Sequence, residues 1–474
     1  MEPPFVRGDF LFGHARRLRS GPLELFEELV RDHPDLVQMR VGHLRAVLVS
    51  HPEGVARVLR DNQKNYSKET PGFHKVRLLL GRGLLTSYGE LWLRQRRMMQ
   101  PAFHREKIAA FAPAMTRAAH ELGERWQGLA GRIIDVADEM MRLTLRVTGE
   151  TLFGTDVSRH ADAISEAVAV VLVEARRRVF TLFDFPLAVP TPNNLRLSRA
   201  IGTLDGIVRR TIAERRRGAP KDDLLGTLLA ARDGEGEGAS NGGARMSDEQ
   251  IRDEVMTLLL AGHETTANAL AWTFHCLAEN PRSRELLEQE LDHVLGGRPP
   301  TMEDVPRLQR TRMVVLESMR LYPPVWILPR LACRDDIVCG YRVRAGTIVL
   351  ASPYATHRHP HYWERPEHHD PNRFTREREM GRSKFAYFPF GGGPRACIGS
   401  SFALVEIILA LATLAQRFVL RSVPGHRAAP EPRVTVRPRD GLPMIVHSRQ
   451  TTRAAGSGFV PNVFEEICSK REFR

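Results

Sequence analysis

The longest helical signal in the chain runs from Ser247 to Ala278, and it limits what everything else can fold into. Ser247-Asp248-Glu249-Gln250 forms a capping box, in which the Ser247 hydroxyl can accept the free N–H of Gln250 and the Gln250 side chain can reach back. Apolar residues then recur at three- and four-residue spacing up to Ala278, where Asn280-Pro281 stops the run. At 1.5 Å per residue such a helix is roughly 45 Å long. It must cross the whole molecule, with its middle in the core.

Helical periodicity also covers Leu23–Arg31, Pro52–Arg60, Glu90–Gln100 and Ile108–Leu129. Strand-like alternation is confined to three places: Leu36–Arg40 with Ala46–Ser50 around a Gly42 turn, Ile337–Val349 with turns at Gly340 and Gly346, and Arg433–Val446. The expected class is mainly α with small β-sheets (α+β). A single domain is expected over 1–448, interrupted by a flexible loop at 233–246 where Asp233–Ala244 is too Gly-rich to pack, with a flexible tail at 449–474.

Composition removes several function classes. With 42% hydrophobic and 26% charged residues the 474-residue chain is neither disordered nor fibrous. The net charge of +13 suggests nucleic acid at first sight. However, Arg is scattered among Asp and Glu instead of forming stripes, so no nucleic-acid partner is expected. The five cysteines, Cys276, Cys333, Cys339, Cys397 and Cys468, contain no CxxC pair and suit a reducing compartment. Met1–Ser20 lacks the apolar stretch of a secretory signal, and runs such as Ile407–Ala415 fall far short of the ~20 residues a span needs. These features predict a cytoplasmic protein with no transmembrane segment. The histidines at 357, 359, 361, 368 and 369 match no zinc spacing and read as a polar connecting loop.

Four clusters carry chemistry. Cys397 follows Phe390-Gly-Gly-Gly-Pro-Arg395-Ala and precedes Gly399 and an apolar helix, Ser401–Phe418. A cysteine at a helix mouth meets the dipole and free N–H groups, which favour the thiolate. Glycines strip the preceding loop of side chains. A buried, inert cysteine after a tight turn would also fit. Midway along the long helix lies Ala261-Gly262-His263-Glu264-Thr265-Thr266. Thr265 can bond back to the Ala261 carbonyl and open a groove, beside which an acid can relay protons. An ordinary polar helix face is the alternative. Glu317 and Arg320 share a helix face and can pair, either in the interior or in solvent. Trp92 and Arg96 can together hold an anion through an indole N–H and a guanidinium, or can simply be a packed Trp with a solvated Arg.

Together, Phe390-x-x-Gly393-x-Arg395-x-Cys397-x-Gly399, Glu317-x-x-Arg320, Ala261-Gly-x-Glu-Thr-Thr266 and Trp92-x-x-x-Arg96 resemble the cytochrome P-450 haem-thiolate monooxygenases of the soluble bacterial type, in that family's order, from about Asp9 to Ser448. Pro371-Asn372-Arg373-Phe374 resembles the segment that closes an Arg onto the Glu/Arg pair, with Asn372 in place of the usual acid.

The resemblance implies that fold, with the long helix at about 248–278 in the centre and a C-terminal cysteine–haem loop. It implies haem b (iron protoporphyrin IX) with Cys397 as axial iron ligand. Trp92, Arg96, Arg330 and Arg395 would bind the propionates, Phe390, Gly391 and Gly399 would pack the loop on the haem, with Gly391–Gly393 making room for it, and Ala261 would face it from the other side. Glu317, Arg320 and Arg373 would form a structural network. Glu264 and Thr265 would form the distal acid–alcohol pair that delivers protons to bound O2, and that intact pair favours O2-dependent hydroxylation or epoxidation over a peroxide-using relative or a non-turnover ligand sensor. Phe73, Leu78, Phe180, Phe183, Val325, Trp326 and Ile327 would line an apolar pocket suited to a lipid, terpene or polyketide. Only 77 residues follow Cys397 and no nucleotide-binding motif is visible, so electrons would come to a monomer from an external ferredoxin or flavodoxin plus reductase. That partner would be acidic and dock on a basic face carrying Arg382, Lys384 and Arg395.

Overall fold

The computed structural model describes residues 1–154, 161–179, 185–219, 221, 223–231 and 245–449. Most of the expected 233–246 loop, the tail from 450 onward, Phe180, Phe183 and Cys468 lie outside the described residues.

The central helix spans Asp248–Glu279, and both bonds of its capping box are made: Gln250 N–H to Ser247 Oγ at 3.2 Å and Ser247 N–H to Gln250 Oε1 at 3.0 Å. Nearly every turn of it is buried. The helices Val136–Phe153, Gln309–Leu321 and Ser400–Ala415 pack directly against it, and Arg105–Gln127 lies behind them. One continuous apolar cluster joins all five, which is how a 32-residue helix with polar residues at its middle is held in the interior.

A five-stranded sheet stands to one side, in the order Leu36–Val41, Leu44–Val49, Ile348–Ala351, Leu328–Ala332, Tyr66–Ser67. Its N-terminal hairpin turns through Gly42-His43, with Gly42 at φ +59°, so the second strand starts at Leu44 and not at Ala46. Leu44–Val49 runs parallel to Ile348–Ala351 and the other pairs are antiparallel. The stretch expected as one strand group at Arg433–Val446 is divided between two sheets: Val436–Pro438 pairs with Pro430–Pro432, and Pro443–Ser448 pairs with Phe418–Ser422 and Ile133–Asp135. The helix after Cys397 ends at Ala415, because Phe418 already belongs to a strand.

The histidine stretch is a connecting loop with His361 and His368 exposed, as expected, but it is not polar throughout. His357 and His359 are fully buried. His357 Nε2 accepts the Phe388 N–H at 2.9 Å, and the His359 ring bonds the Pro34 carbonyl at 2.8 Å. Desolvation pushes both rings below the usual imidazole range, so they act as neutral hydrogen-bonding wedges. Among the described residues no cluster of His, Cys, Asp and Glu could hold a metal ion, and no helix is long and apolar enough to cross a membrane.

Candidate haem site

Two buried networks position the cysteine loop. Behind it, Glu317 and Arg320 pair with both side chains wholly buried, Arg320 Nε to Glu317 Oε2 at 2.7 Å and Nη2 to Oε1 at 2.9 Å. Arg320 also donates to the carbonyls of His357 and His368, while Glu317 accepts the Asp370 N–H at 2.8 Å and lies 3.4 Å from Arg373 Nε. From His357 the chain of bonds passes to Phe388 N–H, and from the Phe388 carbonyl to Gly391 N–H. Asn372, in place of an acid, accepts from Arg310 at the surface and leaves Arg373 aimed at Glu317.

The loop itself closes by a 2.9 Å bond from Cys397 N–H to the Phe390 carbonyl. Two of its three glycines stand against protein. A Cβ on Gly393 would lie 2.0 Å from the Leu59 carbonyl oxygen, and one on Gly392 would lie 2.3 Å from the Phe385 ring. Only Gly391 of the three meets nothing closer than Leu328 Cδ1 at 3.6 Å.

The Cys397 residue is exposed, yet it is deeply surrounded by protein. Both observations hold if the thiol faces an internal slot and not bulk water. Ala261, at the middle of the otherwise buried central helix, is exposed in the same sense, and Thr265 one turn on is partly so. The Thr265 hydroxyl donates to the Ala261 carbonyl at 2.8 Å, as its spacing predicts. Burial pushes the Cys397 thiol up, while the Gly399 N–H and Arg96 pull it down. In the protein alone desolvation outweighs the helix-mouth effect expected from the sequence.

Four cations gather at one end of this slot with no carboxylate partner among the described residues. Arg96 donates to the Ala396 carbonyl at 2.9 Å, and Arg395 donates to the Ser87 carbonyl at 3.1 Å with its guanidinium 4.1 Å over the Trp92 ring. Arg330, only 5% exposed, bonds the Pro329 carbonyl. Lys68 bonds the Leu85 carbonyl at 3.1 Å. Burial lowers all four; Arg330 and Arg395 are pushed down to about 10, and mutual repulsion with both arginines lowers Lys68 further. Like charges desolvated together call for an anion. A flat ring bearing two carboxylates, with a thiol on one face and a groove on the other, fits this set, so the residues present suit the implied haem. Lys68 was not foreseen. It reaches the site because Tyr66–Ser67 pairs with Leu331–Ala332, a contact between segments far apart in the chain that leaves no local signal.

The distal acid behaves differently from the expectation. Glu264 is buried, and its carboxyl accepts the Thr435 hydroxyl at 2.8 Å, away from the Ala261–Thr265 groove. Trp326 is not a pocket wall: it is buried against Phe26 in the core under the sheet and donates its indole N–H to the Arg433 carbonyl at 3.0 Å. Leu78 is 67% exposed and lies off the packed Leu79–Leu80 side of its helix. Phe73, Val325 and Ile327 are half-buried, Phe73 with Lys68 Nζ 5.3 Å from its ring. Arg382 is half-buried, bonds the Arg373 carbonyl and stacks on Trp363 and Phe374. Of the three basic residues expected on the docking face, only Lys384 is exposed.

Residues 3–441 match the family model described as Cytochrome P-450. The chain is 40% identical over 429 residues to cyclooctatin synthase of Streptomyces melanosporofaciens, covering 90% of this chain and 91% of that one. It is 41% identical over 420 residues to cyclooctat-9-en-7-ol 5-monooxygenase of the same organism (88% of each), and 34% identical over 440 residues to pentalenene oxygenase of Streptomyces avermitilis (92% and 93%). Among solved structures, the haem domain of cytochrome P-450DA superposes with a TM-score of 0.86 at 30% identity, over 95% of this chain and 98% of that one.

Proposed function

Since this chain belongs to the cytochrome P-450 family and is a haem-thiolate monooxygenase of an apolar organic substrate, we propose that the Cys397 thiolate would hold the iron of a haem b and that Lys68, Arg96, Arg330 and Arg395 would hold its propionates, with Trp92 stacked beneath Arg395. The observation that carries this reading is the group of four cations without carboxylate partners among the described residues, Arg96 beside Cys397 and Lys68 beside Arg330 and Arg395. When bound, the haem would supply O2 activation, and a thiolate ligand would favour O–O cleavage.

The protein residues then have separate tasks. The Glu317–Arg320–His357 network keeps the cysteine loop at one position. Arg96 and the Gly399 N–H stabilise the sulfur as an anion. Thr265, with its hydroxyl anchored to Ala261, keeps a groove open where a proton can be handed on, and Glu264 holds the proton to be delivered. The substrate is a terpene-like hydrocarbon skeleton, a reading supported by the relatives named for pentalenene and cyclooctat-9-en-7-ol and by Val325, Ile327 and Phe73. Electrons come from a separate acidic ferredoxin or flavodoxin with its reductase. The described chain acts as one domain.

The test is the absorption spectrum of the reduced, CO-bound protein. A strongly red-shifted Soret band is expected, to be abolished by Cys397→Ala and kept by Cys276→Ala, Cys333→Ala and Cys339→Ala. A red-shifted band surviving in Cys397→Ala overturns the assignment.

A further inference from the structure

The Glu264 carboxyl is tied to a hairpin far away in sequence, and that hairpin is fastened with unusual care. Its strands are Pro430–Pro432 and Val436–Pro438. Trp326 Nε1 donates to the Arg433 carbonyl at 3.0 Å, Trp272 Nε1 donates to the Val436 carbonyl at 3.2 Å, and the Val436 N–H donates to the Pro324 carbonyl at 2.9 Å. Three bonds from buried elements therefore flank Thr435 on both sides. The Thr435 hydroxyl, fully buried, donates to Glu264 Oε1 at 2.8 Å and accepts from Asn268 Nδ2 at 3.0 Å. Glu264 and Asn268 are one turn apart on the central helix, so Thr435 bridges them. Both hydrogen-bonding directions of the hydroxyl are used, which fixes its donor toward the carboxyl.

We propose that Thr435 is a positioning residue that parks the Glu264 carboxyl on the hairpin side of the central helix, and that each turnover breaks this bond so the carboxyl can turn toward the Thr265 groove. This extends the proton-delivery role proposed above and rests on it. The proton leaves Glu264 for the groove, and the carboxylate that remains returns to the Thr435 hydroxyl and is reprotonated from solvent.

The surroundings suit such a cycle. Burial holds Glu264 protonated above the ordinary carboxylate range, while the Thr435 bond, Arg437 and Arg433 favour its ionised form. Both arginines are partly neutralised by Glu431, at 2.8 and 3.1 Å, and Asp138 on the helix Val136–Phe153 feels Arg437 as well. His263, the neighbour on the same helix, is buried and kept neutral by desolvation. The charge that would pull the carboxylate back is therefore present but moderate. A bond of this kind contributes ~1 kcal/mol, so removing it should raise the turned population on the order of fivefold.

The test compares Thr435→Val, which keeps shape and β-propensity but loses the hydroxyl, with Thr435→Ser, in the full haem-loaded protein. The first readout needs no turnover: the infrared C=O stretch of the Glu264 carboxyl, assigned by its loss in Glu264→Gln. It is expected at higher frequency in Thr435→Val and at the native position in Thr435→Ser. The second is the solvent isotope effect on product formation with a surrogate redox partner, expected to fall toward 1 in Thr435→Val and to be restored in Thr435→Ser. An unmoved band overturns the parking bond. A moved band with an unchanged or larger isotope effect overturns its part in turnover, and leaves haem-thiolate monooxygenation intact as judged by the CO spectrum and product.

Discussion

Replacing Glu317 by alanine should cost more than any other single change outside the slot. In the native protein its two oxygens meet Arg320 at 2.7 and 2.9 Å, the Asp370 N–H at 2.8 Å, and Arg373 at 3.4 Å. In Glu317→Ala, Arg320 keeps its bonds to the carbonyls of His357 and His368 but becomes an unneutralised charge at 0% exposure. Stranding one partner of a buried pair costs ~3–5 kcal/mol, a large share of the ~5–15 kcal/mol typical of a whole fold. With an unfolding entropy of ~2.1 cal/mol/K per residue, a chain this long loses about 1 °C of Tm per kcal/mol, so about 3–5 °C is expected. The damage should also reach the cysteine loop, because His357, positioned by Arg320, holds Phe388. Calorimetry on freshly purified protein, together with haem content per chain, measures both effects. The apolar double replacement Glu317→Leu with Arg320→Met supplies the control: with no charge left to strand, it should recover much of the loss. If Glu317→Ala has native Tm and full haem occupancy, or if the double variant is worse than the single one, the argument from a stranded charge is wrong.

Thr265→Ala should leave fold and haem content unchanged but release peroxide or water in place of product; measuring product formed per reductant consumed checks this. Lys68→Met should speed haem loss to a scavenger apoprotein severalfold, and unchanged loss would remove Lys68 from the anion site. Glu254, fully buried and receiving the Leu84 N–H at 2.8 Å, is pushed up to about 8 by burial. The native state therefore holds a proton that the unfolded chain releases near pH 4.5, so this residue's contribution to stability falls from about pH 4.5 to 8 and levels off above. In Glu254→Gln the decline of unfolding free energy across that window should be shallower by up to ~1.4 kcal/mol per pH unit in urea titrations. Reduction by an acidic ferredoxin should slow steeply as salt shortens the Debye length from ~10 Å at 0.1 M to ~3 Å at 1 M. Lys384→Glu should flatten that dependence in stopped flow.

The parts of the site that the sequence made legible are those encoded locally. The capping box at Ser247, the back-bonded Thr265 and the three-residue spacing of Glu317 and Arg320 each depend on residues within a turn or two of one another, and each forms as expected; the Gly-rich approach to Cys397 is just as local, but two of its three glycines stand against protein. What sequence reasoning missed is long-range. Lys68 and Thr435 have no distinguishing neighbours; strand pairing and two indole N–H groups bring them to the site. Trp326 was misplaced for the same reason, since an apolar residue beside a predicted pocket looks the same whether it faces the pocket or the sheet behind it. Arg382 illustrates the limit of reading charge: stacking on Trp363 and Phe374 turns a nominal surface cation into packing.

The parallel pairing of Leu44–Val49 with Ile348–Ala351 has a consequence for biosynthesis. At ~5–20 residues per second, the ribosome adds the second strand about 15–60 s after the first. For that interval the N-terminal hairpin presents Leu44–Val49 as an open, apolar strand edge, the kind of surface that recruits other nascent chains. The Arg330 strand is synthesised in the same late stretch and Cys397 later still, so the haem site cannot assemble while the edge is open. Release from the ribosome, closure of the sheet and capture of the cofactor are thus compressed into the last fraction of synthesis. Yield in a heterologous host should therefore respond more to slower growth and added chaperone than to extra haem precursor.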